Sequence, residues 1–192
     1  MIVQLSKRMA SFFVRQKIIE KIDEEVYEYG LQLLLSTVLN AVIALLFAII
    51  SETVIPCLFY LSAFVVMRKS AGGFHAKTHF GCCCILIAVL CCFIAFIKLV
   101  PTEIYAAVSI ISLIISAFTI LLFAPLEHKN KPLNDKDKVR LRKVSIVYMI
   151  MISALVILFW VLNLRKIMVS TVLGIATSSG SILAVKIQKK FK

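Results

Sequence analysis

GLQLLLSTVLNAVIALLFAII, residues 30–50, is an apolar stretch without a single charged side chain. About 20 such residues in a helix cross the roughly 30 Å hydrocarbon core of a bilayer. Five further apolar stretches follow this one, at residues 53–67, 80–100, 104–124, 144–163 and 167–185. The stretches predict an all-α, polytopic integral membrane protein with about six transmembrane helices, the second of which is short.

The composition supports this prediction. Of the 192 residues, 61% are hydrophobic and the mean hydropathy is +0.98, whereas a soluble domain is about 45–50% apolar. One aqueous globule cannot bury so much apolar surface. We therefore expect residues 1–192 to form a single membrane domain.

Positive charge predicts the orientation. The chain carries 22 Lys and Arg against 10 Asp and Glu, a net charge of +12. With the N-terminus inside, 19 of the 22 basic residues fall in cytoplasmic segments, which is the usual bias of membrane proteins. Both termini are thus expected in the cytoplasm. The basic segments contain no aromatic stacking platform and no nucleic-acid-binding module, so no nucleic-acid partner is expected.

Residues 1–28 precede the first span and mix basic with acidic residues, unlike a removable signal peptide. Apolar side chains recur there at roughly helical spacing, which predicts one or two amphipathic helices on the membrane surface. These side chains are Ile2, Leu5, Met9, Phe12, Phe13, Ile18, Ile19, Ile22 and Val26.

The cysteines lie within or beside apolar stretches, at Cys57, Cys82, Cys83, Cys84, Cys91 and Cys92. This placement does not resemble a secreted disulfide framework. Consecutive cysteines on a helix point in different directions, and no distant Cys or His pair completes a zinc tetrahedron. We therefore expect no metal and no cofactor, and a packing role for most of these residues.

Two cytoplasmic loops stand out, a loop at residues 68–82 and a strongly basic loop at residues 127–143. The first contains His75 and Cys82, a base and a nucleophile of the kind used in thiol catalysis. In one continuous helix they would lie about 10.5 Å apart along the axis, too far for proton transfer. Gly72, Gly73 and Gly81 can adopt the positive φ angles that a bend between them requires.

Local geometry supports a second dyad equally well. His79 lies three residues before Cys82 and four before Cys83, so it shares a helix face with either. A lone loop histidine is more often solvated, and a lone cysteine at a helix start more often packs. The Gly-Gly-x-His run and the helix N-terminus, whose dipole favours a thiolate, raise the probability of a functional site.

The motif Arg68-x-x-x-Gly72-Gly73-x-His75-Ala76-Lys77, followed by Cys82, resembles the signature of the accessory gene regulator B (AgrB) family. These are membrane cysteine proteases that process quorum-sensing peptide precursors in Gram-positive bacteria. The segment Ala124-Pro125-x-x-x-x-Asn130-Lys131-Pro132-Leu133 is similar to the family's segment after the fourth span. With the size and the span count, the resemblance covers essentially the whole chain.

The resemblance implies that Cys82 and His75 are catalytic and that Arg68, Gly72, Gly73 and Lys77 support catalysis or bind substrate. It implies a precursor peptide with an amphipathic leader and an acidic C-terminal tail. Cleavage of the tail would leave a thioester on Cys82, and an internal Cys or Ser of the peptide would then close a thiolactone or lactone ring. It also implies a multi-pass protein of the bacterial cell membrane, an active site at the cytoplasmic face, and a homodimer.

Three points stay open at this stage. No carboxylate lies near His75 in sequence, so a third catalytic residue such as Glu28 or Glu127 could approach only through the fold. The basic loop could bind the acidic tail, or could set the topology and bind anionic lipid. A small transporter or a non-catalytic peptide-export scaffold is the alternative function, although the spans contain almost no ionisable residues.

Overall fold

A computed structural model describes residues 2–74, 79–126 and 134–190. The described residues form α-helices and no strands. Short 3₁₀ turns at Lys21–Asp23 and Thr102–Ile104 precede the second and fifth helices. The helices are α1 (Ile2–Arg15), α2 (Glu24–Ile50), α3 (Val54–Ala71), α4 (His79–Leu99), α5 (Tyr105–Phe123), α6 (Asp135–Val161) and α7 (Arg165–Lys190).

The N-terminal region is an amphipathic helix, as predicted. Helix α1 packs against α2 and buries the small side chains of Ser6 and Ala10. The Ser11 hydroxyl donates a 2.6 Å hydrogen bond to the Glu24 carboxylate at the start of α2. Residues 24–28 differ from the prediction, because they form the first turns of α2 instead of a separate surface helix. The acidic residues there suit the positive end of the α2 dipole.

Helices α2 to α7 are each long and apolar enough to cross a membrane. The all-α, six-span prediction is thus confirmed, while the side that each end faces stays a prediction. Successive spans alternate in direction, so α3, α5 and α7 finish at the end of the bundle where α4 and α6 begin. We call this end of the bundle the basic end, since the lysines and arginines that begin α6 lie there.

Helix α7 is the central helix of the bundle. In its spanning segment 56% of the residues are buried, against 17–33% in the other five spans. It packs mainly against α3 and α5, and also against α6 and α4. The Ser179 hydroxyl donates a 3.0 Å bond to Ser116 of α5, and the hydroxyls of Tyr60 and Thr177 lie 2.9 Å apart. Small and polar side chains thus connect α7 to its neighbours, as is common between membrane helices.

Helix α7 lies very close to α3 at Gly174. A methyl group there would collide with the carbonyl oxygen of Tyr60 and would lie 3.1 Å from the Ala63 Cβ. Only a hydrogen atom fits in this space. Gly174 therefore sets the distance between the two helices.

Gly174→Ala should destabilise the bundle by about 1–3 kcal/mol, because the new methyl group pushes α7 away from α3. Gly180→Ala is the matched control, since nothing lies within 4 Å of a methyl group at that position of the same helix. Thermal unfolding of both variants in one detergent measures the difference. Equal unfolding temperatures would contradict the close packing at Gly174.

Candidate active site

Two glycines end helix α3 and turn the chain. Gly72 has a φ of +79° and Gly73 a φ of +149°, and the Gly72 N–H donates a 3.1 Å bond to the Arg68 carbonyl. The predicted positive φ angles are confirmed at both positions. The bend expected at Gly81 is wrong, because α4 already begins at His79 and Gly81 lies in its first turn. Among the described residues of this connection, the turn therefore lies at the end of α3.

The segment after α5 supports this turn from one side. The Leu126 N–H donates a 2.9 Å bond to the Ala71 carbonyl, the last carbonyl of α3. A methyl group on Gly72 would lie 2.7 Å from the Leu126 carbonyl oxygen. The two segments that the sequence singled out, the Gly-Gly loop and the segment from Ala124, are thus in direct backbone contact.

Arg68 holds the turn from the other side. Its guanidinium donates a 3.3 Å hydrogen bond to the Ser181 hydroxyl of α7 and a second one to the Phe74 carbonyl. It also lies over the Phe64 ring, 5.4 Å from the ring centroid. A planar group with several fixed donors is well suited to joining a helix and a loop in this way. The turn is thereby attached to the central helix.

Ser181 was missed by the sequence reasoning. It lies 113 residues after Arg68, in a span whose serines and threonines form no motif with the loop. Its hydroxyl is close enough to Gly73 that a methyl group on that glycine would collide with it. The abundance of small polar residues in α7 was the available signal, and it indicates helix packing in general without naming a partner.

Cys82 is the fourth residue of α4, near the positive end of that helix dipole. Its side chain is half-buried, as is that of Cys83, while Cys84 is exposed. The three consecutive cysteines therefore face different surroundings. Arg68 lies close enough to Cys82 for the two side chains to interact electrostatically. The structure thus joins Arg68, Gly72 and Gly73 in one turn, and Cys82 lies within electrostatic range of Arg68.

His75 and Lys77, together with Glu127, lie outside the described residues. The backbone of His79 begins α4, which places it at i, i+3 spacing from Cys82, but its side chain is outside the described part. Both dyads, with His75 or with His79, stay predictions. Glu28, the other candidate third residue, accepts a 3.2 Å bond from the amide of Gln32.

The fold and the site define a class of protein. It is a six-span membrane protein with a thiol and a clamped arginine at one end of its bundle. The chain belongs to the accessory gene regulator B family, whose model matches residues 6–184. Membership of this family supports a role in the processing of quorum-sensing peptides at a membrane.

Two relatives from Clostridium perfringens are similar over nearly the full chain. An AgrB-like protein of strain SM101 is 24% identical over an alignment of 189 residues that covers 92% of this chain and 88% of the relative. The AgrB-like protein 2 of strain 13 is 24% identical over 190 residues, with the same coverage. Neither name states a reaction. No solved structure matches the chain.

Gly73→Ala should loosen the turn, because the methyl group meets Ser181 and lies 3.0 Å from the Arg68 guanidinium, at a φ that side chains rarely adopt. We expect the Leu126 amide, bonded to α3, to exchange its hydrogen at least about tenfold faster. Hydrogen–deuterium exchange measures this rate. Gly30→Ala is the control, since nothing lies within 4 Å of a methyl group there. Unchanged exchange at Leu126 in both variants would contradict the close contact of Gly73 with Ser181 and Arg68.

Proposed function

We propose that this protein is a membrane cysteine endopeptidase that removes the C-terminal tail of a quorum-sensing precursor peptide and promotes its cyclisation. The observation that supports the proposal most is the Gly-Gly turn at the end of α3, which Arg68 clamps to α7, together with Cys82 near the start of α4. Membership of the AgrB family supports the class of substrate. The proposed site lies at the cytoplasmic face of the bacterial cell membrane.

In the first step His75 takes the proton of the Cys82 thiol. The sulfur attacks the carbonyl carbon that joins the central segment of the precursor to its acidic tail. The C–N bond breaks, and the tail leaves as an amine that receives the proton from His75. The peptide then remains bound to Cys82 as a thioester.

In the second step an internal Cys or Ser of the precursor attacks this thioester. Its proton passes through the histidine to the sulfur of Cys82, which leaves as a thiol, and a thiolactone or lactone ring closes. Exchange of one thioester for another is chemically near-balanced. The enzyme must therefore hold the internal nucleophile close and exclude water from the acyl intermediate.

Arg68 is proposed to stabilise the negative oxygen that forms on the attacked carbonyl. Its bonds to Ser181 and Phe74 fix the guanidinium before substrate arrives. A donor that is held in advance costs no reorganisation during the reaction, which is why such groups contribute strongly to catalysis. Lys77 would add positive charge in the same loop.

The proposal predicts that Cys82→Ala reduces cleavage at least about 1,000-fold, because no other atom replaces the nucleophile. Cys83→Ala and Cys84→Ala are the matched controls and should cleave normally. His75→Ala should be inactive and His79→Ala active. Mass spectrometry of the variants in liposomes with the precursor peptide encoded beside this gene measures both the product and the wild-type adduct lacking the tail.

If His79→Ala is inactive and His75→Ala is active, the catalytic base is His79 and the second dyad is the correct one. Normal processing by Cys82→Ala would refute the protease and favour a scaffold or a transporter.

Arg68→Lys tests the oxyanion role, since it keeps the charge and removes the planar set of donors. We expect the rate of cleavage to fall by about 10–100-fold. The unfolding temperature should stay close to that of the wild type. The control is the reverse exchange at the adjacent exposed position, Lys69→Arg, which should cleave like the wild type. If Arg68→Lys cleaves at the wild-type rate, a positive charge at residue 68 is sufficient and the planar set of donors is not required.

A further inference from the structure

A cavity at the basic end lies between the ends of α5, α6 and α7. Its volume is about 430 Å³, within the roughly 300–1,000 Å³ of small-molecule sites. Phe123, Pro125 and Leu126 form the wall contributed by α5 and the segment after it. None of these residues belongs to the proposed catalytic set.

The opposite wall is cationic. Lys138 and Arg142 lie one turn apart on α6, and Lys186 reaches the cavity from α7. The Lys186 ammonium lies 5.2 Å from the centroid of the Phe123 ring. Arg142 donates a 3.3 Å bond to the Leu121 carbonyl. Two of the three positive groups are thus positioned by contacts with α5.

An acidic residue pairs with one member of this wall. Asp135 lies 3.5 Å from the Lys138 ammonium, and its side chain is 99% exposed. Even with Lys138 paired, Arg142 and Lys186 keep the described walls positively charged. The cavity therefore favours an anion.

The helices beside the cavity expose apolar side chains. Leu121 and Leu122 on α5 are 48% and 56% exposed, and Val139 on α6, between the two cationic residues, is 56% exposed. In a spanning helix, such outward apolar side chains contact acyl chains. A ligand here would meet positive charge at its head and hydrocarbon beside it.

We propose that this cavity binds the headgroup of an anionic phospholipid, with the phosphate among Lys138, Arg142 and Lys186. Basic pockets between transmembrane helices are known to bind such headgroups. An acidic peptide would be attracted by the same charges but would not need the apolar flank. The site goes beyond the proposed protease function and does not depend on it.

The lipid site is adjacent to the turn that ends α3. Leu126 lines the cavity and also donates its N–H to the Ala71 carbonyl. A bound headgroup therefore contacts the segment that supports Gly72. Lipid binding stabilises that segment in the conformation described above.

The test is native mass spectrometry of the full chain released from nanodiscs of phosphatidylcholine with phosphatidylglycerol. The wild type should retain phosphatidylglycerol, and Lys138→Gln/Arg142→Gln/Lys186→Gln should bind it at least about tenfold more weakly. The control Lys136→Gln/Arg140→Gln/Lys143→Gln removes the same charge from exposed positions of α6 that do not line the cavity. It should bind within about twofold of the wild type.

An equal loss of affinity for phosphatidylglycerol in both triple variants would overturn the proposal. The lipid would then be attracted by the positive charge of the whole surface and not by this cavity. Equal retention of phosphatidylcholine, or displacement of the lipid by inorganic phosphate or by hexaglutamate, would also overturn it. Should the triple variant fail to fold in phosphatidylcholine alone, Lys186→Gln replaces it. That single variant should lose part of the affinity, and wild-type affinity in it would count against the site.

Discussion

Helix α7 can approach α3 at Gly174 only because that residue has no side chain, and the bond between Arg68 of α3 and Ser181 of α7 depends on this approach. The two helices run in the same direction, as the pairs Tyr60–Thr177 and Arg68–Ser181 show. Ser181 lies two helical turns, about 10.5 Å, beyond Gly174. At that distance a small error in helix separation would move the Ser181 hydroxyl away from the Arg68 guanidinium.

The segments at the basic end are held in place because they form hydrogen bonds with one another. In a bilayer, helix ends must find partners for their free carbonyls. Ala71 finds one in the Leu126 N–H, and the Phe74 carbonyl finds one in Arg68. The turn after α3 therefore has fixed neighbours on two sides, α7 and the segment after α5. The whole bundle therefore defines the surroundings of this turn.

The sequence was sufficient to predict the number of spans and the glycine turn, because length, hydropathy and positive φ are local properties. A motif in the sequence also singled out Arg68, Gly72, Gly73 and Cys82, whose role in a site stays a prediction. The sequence could not identify the central helix. Helix α7 is less apolar than most of the other spans, and its burial depends on how all six helices pack. Ser181 and Leu126 escaped for the same reason: each acts through a contact with a residue distant in sequence. The sequence did not show that residues 24–28 are continuous with α2, because acidic residues are compatible both with a surface helix and with the first turn of a spanning one.

The clamp on Arg68 also has a consequence for the order of events during synthesis. Arg68, the two glycines and Cys82 leave the ribosome about 100 residues before Ser181, which is part of α7. Chains emerge and insert from the N-terminus. Arg68 therefore gains its bond to Ser181 only after α7 has been made, so a nascent or truncated polypeptide has the Gly-Gly turn without this contact. The order of synthesis thus makes α7 the element that completes the turn.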